Sequence, residues 1–211
     1  MSDALTVTTR DGLKLEARLD KPEAPGGVLV LCHPHPQMGG TMDAPLLGAL
    51  TDELVGRGWG VLRFNFRGIG ASEGTSGTGI DEVADATGAL DVARARYDLP
   101  LAIAGWSFGG AVALRAAAED GDLEACALIA PAVTEKPGVT AGLPSPDGLE
   151  LRSAVLVVCG ANDEQIEPAA CADWATRAHA TYVEIPAANH FFWAKYDKLA
   201  TIVGDFLDDF L

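Results

Sequence analysis

The pentapeptide Gly-x-Ser-x-Gly, which can set a serine hydroxyl on a tight turn for attack on a carbonyl, occurs twice: Gly70-Ala-Ser72-Glu-Gly74 and Gly105-Trp-Ser107-Phe-Gly109. Its chemistry requires a strand running into the turn and a helix leaving it, so that the hydroxyl stands free at the strand's carboxyl end. Leu101–Ala104 reads as that strand and Ala111–Ala118 as that helix. Gly105, Gly109 and Gly110 allow close approach, and the helix turns its positive end toward Ser107. Ser72 lies in Arg67–Gly79, where glycines crowd the turn and no strand directly precedes it, so it is expected to be structural. The same stretch could be read as a phosphate cradle. It lacks a Gly-Lys-Ser/Thr ending and the strict G-x-G-x-x-G order, which argues against nucleotide binding.

A serine hydroxyl needs a general base. His179 closes a helical stretch, where a solvated or helix-capping role is the ordinary one, and His33 and His35 fall early, in Cys32-His-Pro-His-Pro36. His190, in Ala188-Asn-His-Phe-Phe192, follows the last strand and completes the order Ser, acid, His. The acid is expected after the strand Ala154–Cys159, in Gly160-Ala-Asn-Asp163-Glu164-Gln-Ile-Glu167. Asp163, first after the turn, is the best placed to orient an imidazole, with Glu164 the alternative. The competing reading has these acids capping the next helix, where Pro168 suits the first turn. Oxyanion donors are expected from the backbone N–H of Phe108 and of the loop after Val28–Cys32. Pro34 and Pro36 have no N–H, which leaves His35, through its backbone rather than its ring. A metal at His33 and His35 would need a third ligand, and no H-E-x-x-H is present, so neither metal nor cofactor is expected.

The elements that must hold these residues follow from the apolar pattern. Thr6–Thr9 and Leu13–Leu19 alternate around Asp11-Gly12, a hairpin signal. Val28–Cys32, Val61–Phe66, Leu101–Ala104, Ala125–Ile129 and Ala154–Cys159 are short continuous apolar runs, as parallel strands buried on both faces require. Helical spacing occupies Pro45–Arg57, Ile80–Tyr97, Ala111–Glu119, Pro168–Ala178 and Tyr196–Leu211, and Thr181–Ile185 is a last strand. The expected architecture is one α/β domain over 1–211 with a sheet of about eight strands. Ala132–Arg152, with Pro137, Pro144 and Pro146, shows no clear period and reads as a short irregular insert near the site, functional or mobile.

Fifteen basic against thirty acidic side chains among 211 residues leave a net −15, which disfavours nucleic acid, anionic membranes and polyanionic substrates. Met1–Leu5 carries no basic patch leading into an apolar stretch, so the expectation is a soluble, cytoplasmic protein. Cys32, Cys126, Cys159 and Cys171 have irregular gaps and are read as buried free thiols.

These residues, with His33–Gly40, Asn65–Gly74, Gly160–Asp163 and Asn189-His190, resemble the α/β-hydrolase superfamily over nearly the whole chain, in its small, lidless, dienelactone-hydrolase-like bacterial branch. The resemblance implies Ser107 as nucleophile, Asp163 as acid, His190 as base, and the amides of Phe108 and His35 as oxyanion hole. Dienelactone hydrolases proper carry Cys, and haloalkane dehalogenases Asp, where this chain has Ser107, so neither substrate is inherited. Only 132–152 stands where larger relatives insert a lid, which implies an open, shallow site. The reading is a serine hydrolase of carboxylic esters or thioesters, acting on a small-molecule acyl substrate. Met38, Trp106 and Phe191 are the expected substrate contacts, among aromatic and Met residues near the motifs that include Met42, Phe108, Phe192 and Trp193. Alternatives are an acyltransferase or peptidase on the same residues, or a non-catalytic binding protein on the same fold.

Overall fold

A computed structural model describes all 211 residues. The strands are β1 (Ser2–Thr8), β2 (Lys14–Asp20), β3 (Gly27–Cys32), β4 (Trp59–Phe64), β5 (Leu101–Trp106), β6 (Ala125–Ile129), β7 (Ala154–Gly160) and β8 (Thr181–Ile185). The helices are α1 (Pro45–Gly56), α2 (Val83–Arg96), α3 (Phe108–Glu119), α4 (Pro168–Arg177) and α5 (Tyr196–Leu207). One eight-stranded sheet has the order β1-β2-β4-β3-β5-β6-β7-β8. β1 with β2 and β2 with β4 are antiparallel, and all other pairs are parallel.

The continuous apolar runs are explained by burial on both faces. Val28, Val30 and Cys32 join a core of 35 buried residues together with α2, α3 and α4. Their neighbours Leu29 and Leu31 join a second core of 24 residues with α1 and α5. Successive side chains of a strand point to opposite faces, so a strand covered on both sides must be apolar at every position. All four cysteines are free and buried. No helix is long and apolar enough to cross a membrane.

β1 starts at Ser2 rather than Thr6, β4 covers Trp59–Phe64 rather than Val61–Phe66, and β5 continues to Trp106. Three helix boundaries also differ from the sequence reading, for local reasons. α3 begins at Phe108 rather than Ala111, because the helix starts on the turn itself. α2 begins at Val83 rather than Ile80: the preceding residues form a turn in which the buried Glu82 carboxylate accepts the Gly77 and Gly79 amides at 2.5 and 2.8 Å. α5 ends at Leu207 and tightens into a 3₁₀ turn over Asp208–Phe210, where Arg57 holds Asp205 and Asp208 at 2.9 and 2.6 Å.

After β3 the chain moves to one side to make β4, and β5 returns on the other side of β3. The loops following β3 and β5 therefore diverge, and an open α/β sheet has its crevice at such a point, beyond the carboxyl ends of the strands. The loop after β3 is held by His33, which is wholly buried. Its Nδ1 lies 2.7 Å from the Pro34 carbonyl and its Nε2 3.0 Å from the Phe66 amide. The carbonyl can only accept and the amide only donate, so the ring is neutral with its proton on Nδ1. Burial pushes its pKa down from 6.5 to about 4.

This clamp has a pH signature. Between pH 6.5 and 4 the unfolded chain takes up a proton at His33 and the folded chain does not, so stability falls as acid is added through that window and the effect levels off below about 4. At pH 5.5 the loss relative to pH 7.5 is about 1 kcal/mol from this group. Urea unfolding at the two pH values is expected to show a smaller acid loss for His33→Asn than for the wild type, by about that amount. Equal acid losses in both proteins would contradict the assignment.

Candidate active site

Ser107 occupies the turn between β5 and α3 with φ 56° and ψ −113°, outside the regions that a residue bearing a Cβ ordinarily adopts. Such a conformation costs roughly 1–3 kcal/mol and persists only when its surroundings enforce it. Here the Ser107 amide donates to Ile129 O at 2.8 Å, and the Ser107 carbonyl accepts from Gly110 and Ala132 amides at 3.0 and 3.1 Å. The flanking glycines are required by contact. A Cβ on Gly105 would collide with the Gly109 carbonyl, and one on Gly109 with the Cys32 and His33 carbonyls. α3 thereby sits directly against the end of β3, and Phe108, its first residue, carries one of the helix's orphan amides. The Ser107 side chain faces a crevice and makes no hydrogen bond of its own.

His190 follows β8 on a loop and is buried. Its Nδ1 lies 2.8 Å from Asp163 Oδ2, and its main-chain carbonyl accepts from Trp106 Nε1 at 3.2 Å. A carboxylate only accepts, so Nδ1 carries the proton of this bond, and Nε2 is the ring nitrogen left free of Asp163. The ring and the Ser107 side chain line the same cavity. Asp163 is bonded through both oxygens, and neither caps α4, whose first turn has no side-chain cap. Oδ2 meets the imidazole, while Oδ1 accepts the Gln165 and Ile166 amides at 2.8 Å each, bracing the turn that leads into α4. Glu164 is exposed and takes no part, and His179 is exposed at the end of α4.

His35 departs from the reading that its ring is incidental. Its Nε2 lies 3.0 Å from the Val139 carbonyl and its Nδ1 accepts the Gln37 amide at 3.2 Å, so the imidazole ties the loop after β3 to the 132–152 segment. Its main-chain N–H has no acceptor within the protein. With both histidines used to tie backbone, the His33-Pro-His-Pro36 stretch is a loop braced by its own rings. The 132–152 segment is likewise braced. Arg115 donates to the Ala141 and Gly142 carbonyls, Trp174 Nε1 to Pro144 O at 2.9 Å, and Ala141 N to Thr78 O at 2.8 Å.

Two cavities of about 320 and 340 Å³ meet at Ser107 and share His35, Met38 and Gln165. The first runs under the 132–152 segment past Phe108, Val133, Val139 and Ile166. The second is lined by Trp106, His190, Phe191 and the Gly39–Thr41 turn. The three expected contacts Met38, Trp106 and Phe191 all border a cavity, whereas Met42 and Phe192 are core residues. Sequence reasoning did not single out Val133, Val139 or Ile166, whose aperiodic or turn setting gave no signal. Ser72 is structural: its hydroxyl donates to Asn65 O at 2.7 Å and accepts the Glu16 amide at 2.9 Å. The surrounding amides of Ala71, Gly77 and Gly79 are taken by Glu16 and Glu82 carboxylates, so this turn offers them to no phosphate.

Comparison with known proteins places the chain in a family. The sequence model described as serine aminopeptidase, S33, matches residues 23–152. A Rickettsia prowazekii protein is 29% identical over 203 residues, covering 92% of this chain and 84% of that one. Among solved structures, a Xanthomonas campestris serine hydrolase without a lid is 30% identical with a TM-score of 0.85, over 100% of this chain and 95% of its own. A Coxiella burnetii α/β serine hydrolase homologue is 25% identical with a TM-score of 0.85, over 97% of each chain. A family model spanning more than half of the sequence, and a lidless hydrolase 30% identical along its whole length, establish that this chain belongs to the α/β serine hydrolases.

Proposed function

We propose that the chain hydrolyses carboxylic esters or thioesters of small to medium acyl groups through Ser107, His190 and Asp163. The observation that carries this reading is an imidazole fixed by a carboxylate at 2.8 Å and facing the same cavity as a serine on a strained strand-to-helix turn. His190 Nε2 takes the Ser107 proton as Oγ bonds to the substrate carbonyl carbon, and Asp163 stabilises the imidazolium that forms. The carbonyl oxygen, now an anion, is met by the amides of His35 and Phe108, which have no competing acceptor on the helix axis or in the loop. Collapse breaks the bond to the alkoxide or thiolate, which leaves with the proton from His190. Water, activated by the same ring, then attacks the acyl-enzyme and frees Ser107. The acidic surface favours neutral acyl substrates over polyanionic ones.

Steady-state hydrolysis of short-chain acyl esters and thioesters tests the reading. Ser107→Ala and His190→Ala are each expected to lower kcat by roughly 10³-fold or more, and Asp163→Asn by about 10⁴-fold. Glu164→Gln is expected to leave kcat within about twofold, since that side chain is exposed and unconnected. Full activity in Ser107→Ala, or an equal loss in Glu164→Gln and Asp163→Asn, would contradict it.

A further inference from the structure

The two cavities that meet at Ser107 differ in one chemical respect: only one of them is lined by His190. Accepting the serine-hydrolase reading above, the carbonyl carbon bonds to Ser107 Oγ, and its two remaining groups extend in different directions. The oxygen of the departing alcohol must reach the proton on His190 Nε2, because the C–O bond breaks as that proton is delivered. The leaving group therefore occupies the His190 cavity, and the acyl chain occupies the cavity under the 132–152 segment.

The walls of the two cavities are unlike. The acyl side presents the branched aliphatic side chains Val133, Val139 and Ile166, and Phe108 is its one phenyl ring. The leaving-group side presents Trp106 and Phe191. The Trp106 indole is held by its hydrogen bond to the His190 carbonyl. Phe191 stands edge-on to both Trp106, at 6.1 Å and 83°, and His190, at 5.6 Å and 85°. Trp193, 63% exposed, stacks on Phe191 at 5.0 Å and 14°. Aromatic faces and edges thus extend from solvent to the base, in the geometries in which rings attract one another. Trp193 is not among the residues packed against either core, and a ring arriving beside Phe191 would extend the stack already present.

We infer that the enzyme selects esters that carry an aromatic ring on the alcohol side and an aliphatic chain on the acyl side, with Phe191 and Trp193 as the specificity-determining residues. Benzyl-type esters of short aliphatic acids have this shape.

Two isomers separate the sides of the ester with the same atoms: benzyl acetate, with the ring on the alcohol, and methyl phenylacetate, with the ring on the acid. The kcat/KM ratio of the first to the second is expected to fall by roughly tenfold in Phe191→Leu and several-fold in Trp193→Ala. Comparing the ratio between variants cancels the intrinsic reactivity of the two esters. A ratio unchanged in both variants, or a selective loss of methyl phenylacetate turnover, would overturn the inference. Absence of Ser107-dependent turnover of ethyl acetate and of both isomers would overturn the hydrolase reading on which it rests.

Discussion

The strained backbone of Ser107 is the constraint around which the rest of the molecule is arranged. A residue with a side chain is held at φ 56° by hydrogen bonds from its amide to the end of β6 and to its carbonyl from Ala132. That conformation exists only because β5 enters the turn in register with both neighbours, Cys32 facing Gly105 on one side and Leu128 on the other. It also requires α3 to leave the turn against the end of β3 with no room for a Cβ at Gly105 or Gly109. The burial of both sheet faces supplies the rigidity that offsets the strain, since neither the strands nor α3 can shift to relax it.

Around that turn, the loops at the carboxyl ends of the strands are fixed by buried polar side chains rather than by regular structure. His33 ties the loop after β3 to the end of β4, and His35 ties it to the 132–152 segment. Asp163 braces its own turn with one carboxylate oxygen and holds His190 with the other. Arg67 is clamped by Asp85, whose side chain is fully buried, and by Asp11 at the rim. Each of these groups has its partners, so the geometry is specified. The consequence for function is that the hydroxyl, the imidazole and the free amide of His35 meet across a crevice whose walls do not depend on a lid.

Much of this was legible in the sequence. The buried strands were visible because two covered faces force continuous apolar runs, and the choice of Ser107 over Ser72 followed from the strand before it and the helix after it. Asp163 and His190 followed from chain order and from their positions after strands. What was not legible rests on contacts distant in sequence. The bracing of 132–152 depends on His35, Arg115 and Trp174, none of which leaves a local period there. The His35 ring was passed over because the signal at that position, flanking prolines, speaks only of the backbone. The start of α2 shifted because Glu82 commits the residues before it to a turn, and that of α3 because the helix begins directly on the Ser107 turn, tertiary demands that helical spacing does not register.

The central claim is that this arrangement activates Ser107 and no other hydroxyl. Mass spectrometry after exposure to a fluorophosphonate, with peptide mapping, reads this directly. The account predicts a single adduct on Ser107, formed by the wild type and absent in His190→Ala. An unlabelled wild-type protein, or an adduct on Ser72, would contradict it.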